Sequence, residues 1–154
     1  MIRRRLAIWA GVAFLLAAVA MSAPGRSLFY SAITQDVAAA QQIDALTAHA
    51  RAAAGEILLI DVRRPDEWAA TGSGEGAARL DMRRDDFIAA LVRLAEGDRT
   101  RSIAIICARG VRSARMTNRL TQAGFTRIID VPEGMLGSAA GPGWIKRGLP
   151  LDRS

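Results

Sequence analysis

Ile103-Ala-Ile-Ile-Cys107-Ala-Arg-Gly-Val-Arg112-Ser113-Ala-Arg115 is the stretch on which the fold turns. Its first four residues are apolar without alternation, too few for a helix, and read as a strand buried on both faces. They run straight into a cysteine and a Gly-containing loop, after which Val111 to Ala123 reads as a helix closed by Gly124. The same succession recurs on either side. Ile57 to Val62 is a second continuous apolar run, followed by Pro65 to Ala70, a short helix with proline in its first turn. The Gly-rich stretch Thr71 to Gly76 leads to a short strand at Ala77 to Leu80. Asp85-Asp86 then cap a helix in which Phe87, Leu91 and Leu94 share a face, ended by Gly97. Arg127 to Asp130 reads as a further strand. At the front, Ile43 to Ala54 places Ile43, Leu46, Ala50 and Ala53 at helical spacing before Gly55. Alternating strands and helices predict an α/β domain of three layers, a mostly parallel sheet with helices on both faces. Ligands in such sheets bind at the carboxyl ends of the strands, and Asp61 and Cys107 both fall there.

The chain has 154 residues, 51% apolar and 23% charged, enough for one domain with a real core. Its formal charge of +6 suggests a nucleic-acid partner at first sight. Three of the positive charges are Arg3, Arg4 and Arg5, however, and the remaining arginines and lysine are scattered among acids, with aromatics at 5%. A nucleic-acid surface would show a basic stripe with interleaved aromatics, so that class is excluded. The N-terminal arginines instead precede sixteen uncharged residues, Leu6 to Met21, and Ala18-Val-Ala20 has the small-x-small form of a cleavage site. The expectation is a signal peptide at residues 1–20, a linker at 21–42 holding a short edge element at most, and a domain at 43–151. The uncharged stretch approaches the ~20 residues of a membrane span, so an uncleaved segment would be a single anchor and the only membrane contact. Either way the domain is expected outside the inner membrane, in the periplasm.

Cys107 is the single cysteine and has no partner for an internal disulfide. It is either a small buried hydrophobe or a reactive group. A short loop between strand and helix turns backbone N–H groups inward as an anion nest and adds the positive end of the helix dipole. Such surroundings favour the thiolate, the nucleophilic form of cysteine. Candidate site residues are therefore Cys107 as nucleophile, with Ala108, Arg109, Gly110, Val111, Arg112 and Ser113 as the cradle. Gly110 supplies conformational freedom, Arg112 paired donors for an oxyanion, and Arg109 long-range attraction. Asp61 is expected to accept loop N–H groups, to pair with Arg112, or to cap the helix that follows. Arg63 is expected either to guard the pocket for anions or to pair with Asp66 or Glu67 on the surface. Trp68 and Trp144 are expected in the core or pocket wall, and Val131 to Gly137 along the rim. The one histidine, His49, lies in the first helix and is read as structural. No metal and no cofactor are assigned.

Three segments together resemble the rhodanese (sulfurtransferase) family: Leu59-Ile-Asp-Val-Arg63 with Pro65-Asp-Glu-Trp68, the loop Cys107-Ala-Arg-Gly-Val-Arg-Ser113, and Gly141-Pro-Gly-Trp144 through Gly148-Leu-Pro-Leu151. The resemblance covers roughly residues 43 to 151 and is specific through the combination rather than through any one piece. It implies a cysteine that takes a sulfane sulfur from a thiosulfate-like donor as a persulfide, held by the loop N–H groups, and passes it to a thiophilic acceptor. Two half-reactions through one covalent intermediate are nucleophilic catalysis with ping-pong kinetics. The partners so implied are a small sulfur-bearing anion and the acceptor. Cysteine phosphatases, some of which share this fold, place five residues between cysteine and arginine; here four separate Cys107 from Arg112, and Ser113 stands where the phosphatase arginine would be. The family's frequent Gly-His-Ile-Pro-Gly-Ala is replaced by Gly72-Ser-Gly-Glu-Gly-Ala77, so no histidine role carries over. The alternative reading is a non-catalytic rhodanese-like module that binds a partner or an anion through the same cradle.

Overall fold

The computed structural model describes residues 41–154. The expected signal peptide and nearly all of the expected linker lie outside the described residues. In chain order the elements are β1 (Gln41–Gln42), α1 (Ala45–Ala53), β2 (Leu58–Asp61), α2 (Pro65–Thr71), β3 (Ser73–Gly74), β4 (Ala78–Arg79), α3 (Phe87–Leu94), β5 (Ile103–Ile106), α4 (Val111–Gln122), β6 (Ile128–Val131), α5 (Gly143–Lys146) and β7 (Leu151–Asp152).

Five strands form one parallel sheet in the order β1-β6-β5-β2-β4. β3 and β7 pair antiparallel as a separate ribbon. The two apolar runs, β2 and β5, are central neighbours, which is why neither alternates: each residue of either strand faces a helical layer. Ile60, Ile103 and Ile105 pack with Phe87 and Leu91 of α3 and Met116 and Leu120 of α4. Leu59, Ala104, Ile106 and Ile129 pack on the other face with Ala45 and Ala48 of α1 and Trp144 of α5. Each such large aliphatic side chain, fully buried, contributes about 1.5–3 kcal/mol. The fold class is the three-layer α/β arrangement that the alternation of elements predicts. The pairings Asp61 with Ile106 and Ile105 with Asp130 bring the carboxyl ends of β2, β5 and β6 to one edge.

Two helices differ in facing from the expectation. α1 buries Ala45 and Ala48, and Leu46 is 52% exposed. The small alanine face lets the helix lie close against the sheet and Trp144, whose ring meets His49 edge-on at 5.4 Å between centroids. α3 buries Phe87, Ala90 and Leu91, leaving Leu94 half-exposed. Asp86 stands at its N-cap without a capping bond, because its carboxylate is taken by Arg84 and Arg93. β1, hydrogen-bonded to β6, is a short edge strand formed by the last two residues of the stretch read as linker.

Candidate active site

Cys107 follows the last residue of β5, and its side chain is 1% exposed. The turn that carries it is shaped by a second segment. The N–H groups of Met135 and Leu136 donate to the carbonyls of Cys107 and Ala108 at 2.8 and 2.9 Å. Two of the loop's carbonyls are thereby engaged by the stretch after β6, while the N–H groups of Ala108 to Ser113 find no acceptor among the described residues. Gly134 makes this approach possible, since a Cβ there would lie 2.5 Å from the Ala108 oxygen. Gly110 is the N-cap of α4 in left-handed conformation, φ 85°, and a Cβ on it would overlap the Pro132 carbonyl. A strand end, unspent loop amides and the N-terminus of a twelve-residue helix thus lie together in the turn that carries Cys107, surroundings suited to an anion.

Ser113, fully buried in the first turn of α4, meets the sulfur directly. The Cys107 thiol donates to Ser113 Oγ at 3.6 Å, and the Ser113 hydroxyl donates to the Gly110 carbonyl at 2.9 Å. The position read as blocking the phosphatase pattern is therefore a hydroxyl against the nucleophile. Val111 is exposed and Ala108 buried at the turn. Arg109 extends outward, exposed, its guanidinium 3.4 Å from the Gly137 carbonyl, and pairs with no carboxylate among the described residues.

Arg112 and Arg63, the other two arginines considered for substrate, are held in ion pairs within the protein. Arg112 makes a two-pronged ion pair with Glu67 of α2, both N···O distances 2.6 Å. The Arg112 guanidinium holds the Glu67 carboxyl well below its usual range, at about 2, and Glu67 in turn raises Arg112. Glu67 also accepts the Arg64 N–H at 3.1 Å, so it caps α2 in the place considered for Asp61. Arg63, expected at the pocket mouth or on the surface, is 1% exposed. It pairs with the wholly buried Asp61 at 2.7 Å and donates to the Thr71 hydroxyl at 2.9 Å and the Gly72 carbonyl at 2.6 Å. Asp61 therefore neither accepts loop N–H groups nor pairs with Arg112. Arg63 lies two residues past the end of β2, where its N–H also donates to the Asp61 carboxylate at 3.1 Å, and a buried charge holds its place only when paired.

A cavity of about 320 Å³ lined by Arg64, Met82, Arg83 and Arg112 opens beside the Arg112–Glu67 pair. Its arginines are balanced by Asp66, Glu67 and Asp81, so it is polar rather than strongly positive. Val131 to Gly137 borders the Cys107 turn, as the rim expectation required, and Trp144 is a core residue whose indole N–H donates to the Pro150 carbonyl at 2.8 Å.

Two residues near the site went unassigned from sequence. Glu67 had a signal, an acid at the third position of a helix that begins with proline. Asp130 had a weaker one. It alternates with Ile129 and so shares the face of Ile128, toward α4, where it is 3% exposed. Burial pushes its carboxyl up, partly offset by the Ser113 hydroxyl and the Val131 amide.

The geometry agrees with comparison to known proteins. The model of the rhodanese-like domain matches residues 44–139. A sulfurtransferase of Allochromatium vinosum is 30% identical over 96 residues, 62% of this chain and 78% of that protein. Among solved structures, the polysulfide-sulfur transferase homodimer of Wolinella succinogenes superposes with a TM-score of 0.57 at 23% identity, over 82% of this chain and 88% of that one. A rhodanese-related protein of Thermoplasma volcanium gives 0.54 at 26% identity, over 74% of this chain and 99% of that one. With the family model spanning most of the described domain and Cys107 seated in the loop that defines it, the chain belongs to the rhodanese family.

Proposed function

We propose that the protein is a sulfurtransferase in which the Cys107 thiolate attacks the sulfane sulfur of a thiosulfate-like anion. The S–S bond of the donor breaks, sulfite leaves with the bonding pair, and Cys107 becomes a persulfide. In the second half-reaction a thiophilic acceptor attacks the outer sulfur and the thiolate is restored; with cyanide the product is thiocyanate. The observation that carries this reading is the turn at Cys107, where the Cys107 and Ala108 carbonyls accept from Met135 and Leu136 while the N–H groups of Ala108 to Ser113 have no acceptor among the described residues. Unspent N–H donors in the loop suit a terminal persulfide anion, and Ser113 Oγ, 3.6 Å from the sulfur, adds a hydroxyl.

The donor is a small sulfur-bearing anion and the acceptor a thiophile, and Arg109, free of carboxylate partners among the described residues, draws the anionic donor in. The arginine cluster and uncharged run at the N-terminus support export to the periplasm, with membrane contact confined to that segment if it is retained.

Steady-state turnover of thiosulfate and cyanide tests the reading. The expected result is thiocyanate formation with parallel double-reciprocal lines, the pattern of a covalent intermediate, and none with Cys107→Ser. Intersecting lines, or thiocyanate from Cys107→Ser, would overturn it.

A further inference from the structure

Beneath the cysteine turn lies a buried acid that the sulfur chemistry above does not use. Asp130 is registered with Ile105 on β5 and with Gln42 on β1. Ile105, with which it is in register, and Ile128, two residues before it on β6, belong to the α4-facing core, so its carboxyl lies on the side of the layer that holds Met116 and Leu120. It is 3% exposed, and its Oδ1 has no hydrogen-bond partner among the described residues. In register with it stand Gln42 and Ile105, and the buried side chains of α4, Ser113, Met116, Thr117 and Leu120, are uncharged; the titratable Cys107 follows directly on β5. A buried carboxylate without a cation or a full set of donors is costly, and burial pushes the Asp130 carboxyl toward its protonated form. The residue within reach is Ser113, whose Oγ already receives the thiol of Cys107.

We propose that Asp130 is a positioning residue for the Cys107 sulfur and acts on it through Ser113. When the thiol loses its proton, the sulfur changes from donor to acceptor, and Ser113 must turn its hydrogen from the Gly110 carbonyl toward the sulfur. Gly110 keeps the Ala114 N–H at 3.1 Å, so its carbonyl is not stranded. The carboxyl proton of Asp130 then fills the lone pair of Ser113 Oγ. The chain runs Asp130 O–H to Ser113 O–H to sulfur, each bond polarising the next. A carboxylate at Asp130 would offer no hydrogen and would place a negative charge near the thiolate.

The proposal rests on the reading of Cys107 as the sulfur-carrying nucleophile, and its test is chosen not to need a sulfur donor. Cys107 is the only cysteine, so the rate of alkylation by iodoacetamide reports on it alone. Asp130→Val, which suits a buried strand, and Ser113→Ala are each expected to slow alkylation at neutral pH about three- to tenfold, the net effect of one ordinary hydrogen bond. The double variant is expected to be no slower than Ser113→Ala, because both substitutions break one chain. Asp130→Asn, a neutral donor of the same shape, is expected to stay within about twofold of the original protein at about pH 7 and to outpace it as rising pH takes the proton from Asp130. Wild-type rates in Asp130→Val, multiplied effects in the double variant, or Asp130→Asn as slow as Asp130→Val would each overturn the proposal. Should Asp130→Val not fold, the ratio of Asp130→Asn to the original protein decides alone: a rise with pH supports it and a flat ratio overturns it. If the alkylation pattern holds and no persulfide forms with thiosulfate, the sulfur-transfer reading fails and the positioning role stands.

Discussion

The exits of β2 and β5 lie side by side at one edge of the sheet, with Asp61 level with Ile106, and they are finished in opposite ways. At the β2 exit every strong polar group is spent internally. Asp61 and Arg63 neutralise each other, and the remaining guanidinium donors close on Thr71 and Gly72, stitching the strand end to the far end of α2. At the β5 exit the carbonyls are spent and the amides are not. The first exit has no capacity left for a ligand, while the second has donors without acceptors around a nucleophile. Polar groups that satisfy one another hold a fold together, and those left unsatisfied mark where it acts. The Glu67–Arg112 pair joins the two, since α2 is anchored by Arg63 at one end and reaches the cysteine loop through Glu67.

The difference can be broken most sharply at Arg63. Replacing it with Leu strands the wholly buried Asp61 carboxylate, and the expected loss is about 3–5 kcal/mol in urea unfolding. A loss below about 1 kcal/mol would mean that the β2 exit is not the structural stitch described. Gly110→Ala strikes the other exit. A side chain there meets the Pro132 carbonyl at a left-handed φ, so a destabilisation of about 2–3 kcal/mol is expected. Sulfur loading should fall more than about tenfold, because the amide ring is distorted where the negative charge must sit. Loading unchanged in a folded Gly110→Ala protein would separate the cradle from the chemistry.

Glu67→Gln is the mildest of the three. Because Arg112 holds Glu67 at about 2, below the 4.5 of a free glutamate, the pair's contribution is present above about pH 4.5 and is lost as the pH falls through about 2. After screening at this part-exposed position it amounts to about 1–2 kcal/mol. Thermal melts of the original protein and of Glu67→Gln should therefore differ at neutral pH and converge in acid. A gap that persists unchanged to the lowest pH would show that Glu67 stabilises through packing rather than charge.

The two exits were not equally legible in the sequence. Ile103 to Cys107 announces itself, because a central parallel strand leaves an unbroken apolar run and a following helix needs a glycine to turn into it. The cysteine, the loop and the importance of position 113 follow from local order. The β2 exit showed its participants, Asp61 and Arg63, without their partnership, since pairing depends on whether the chain buries both side chains after the strand ends. Arg112 with Glu67 was beyond reach for a different reason, being a contact across 45 residues set by how α2 and α4 pack. α1 misled because an alanine-rich helix carries little contrast, so the larger Leu46 was placed on the face that Ala45 and Ala48 occupy. Asp130 looked like an ordinary strand end until register put it beside Ser113.

The central claim is that the unspent donors of the β5 exit serve a sulfur anion on Cys107. Intact-mass measurement after incubation with thiosulfate and removal of the excess tests it most directly. The account predicts the mass of one added sulfur, localised to the Cys107 peptide, absent in Cys107→Ser and released as thiocyanate by cyanide. An unmodified mass from folded protein with a free, alkylatable thiol would contradict it.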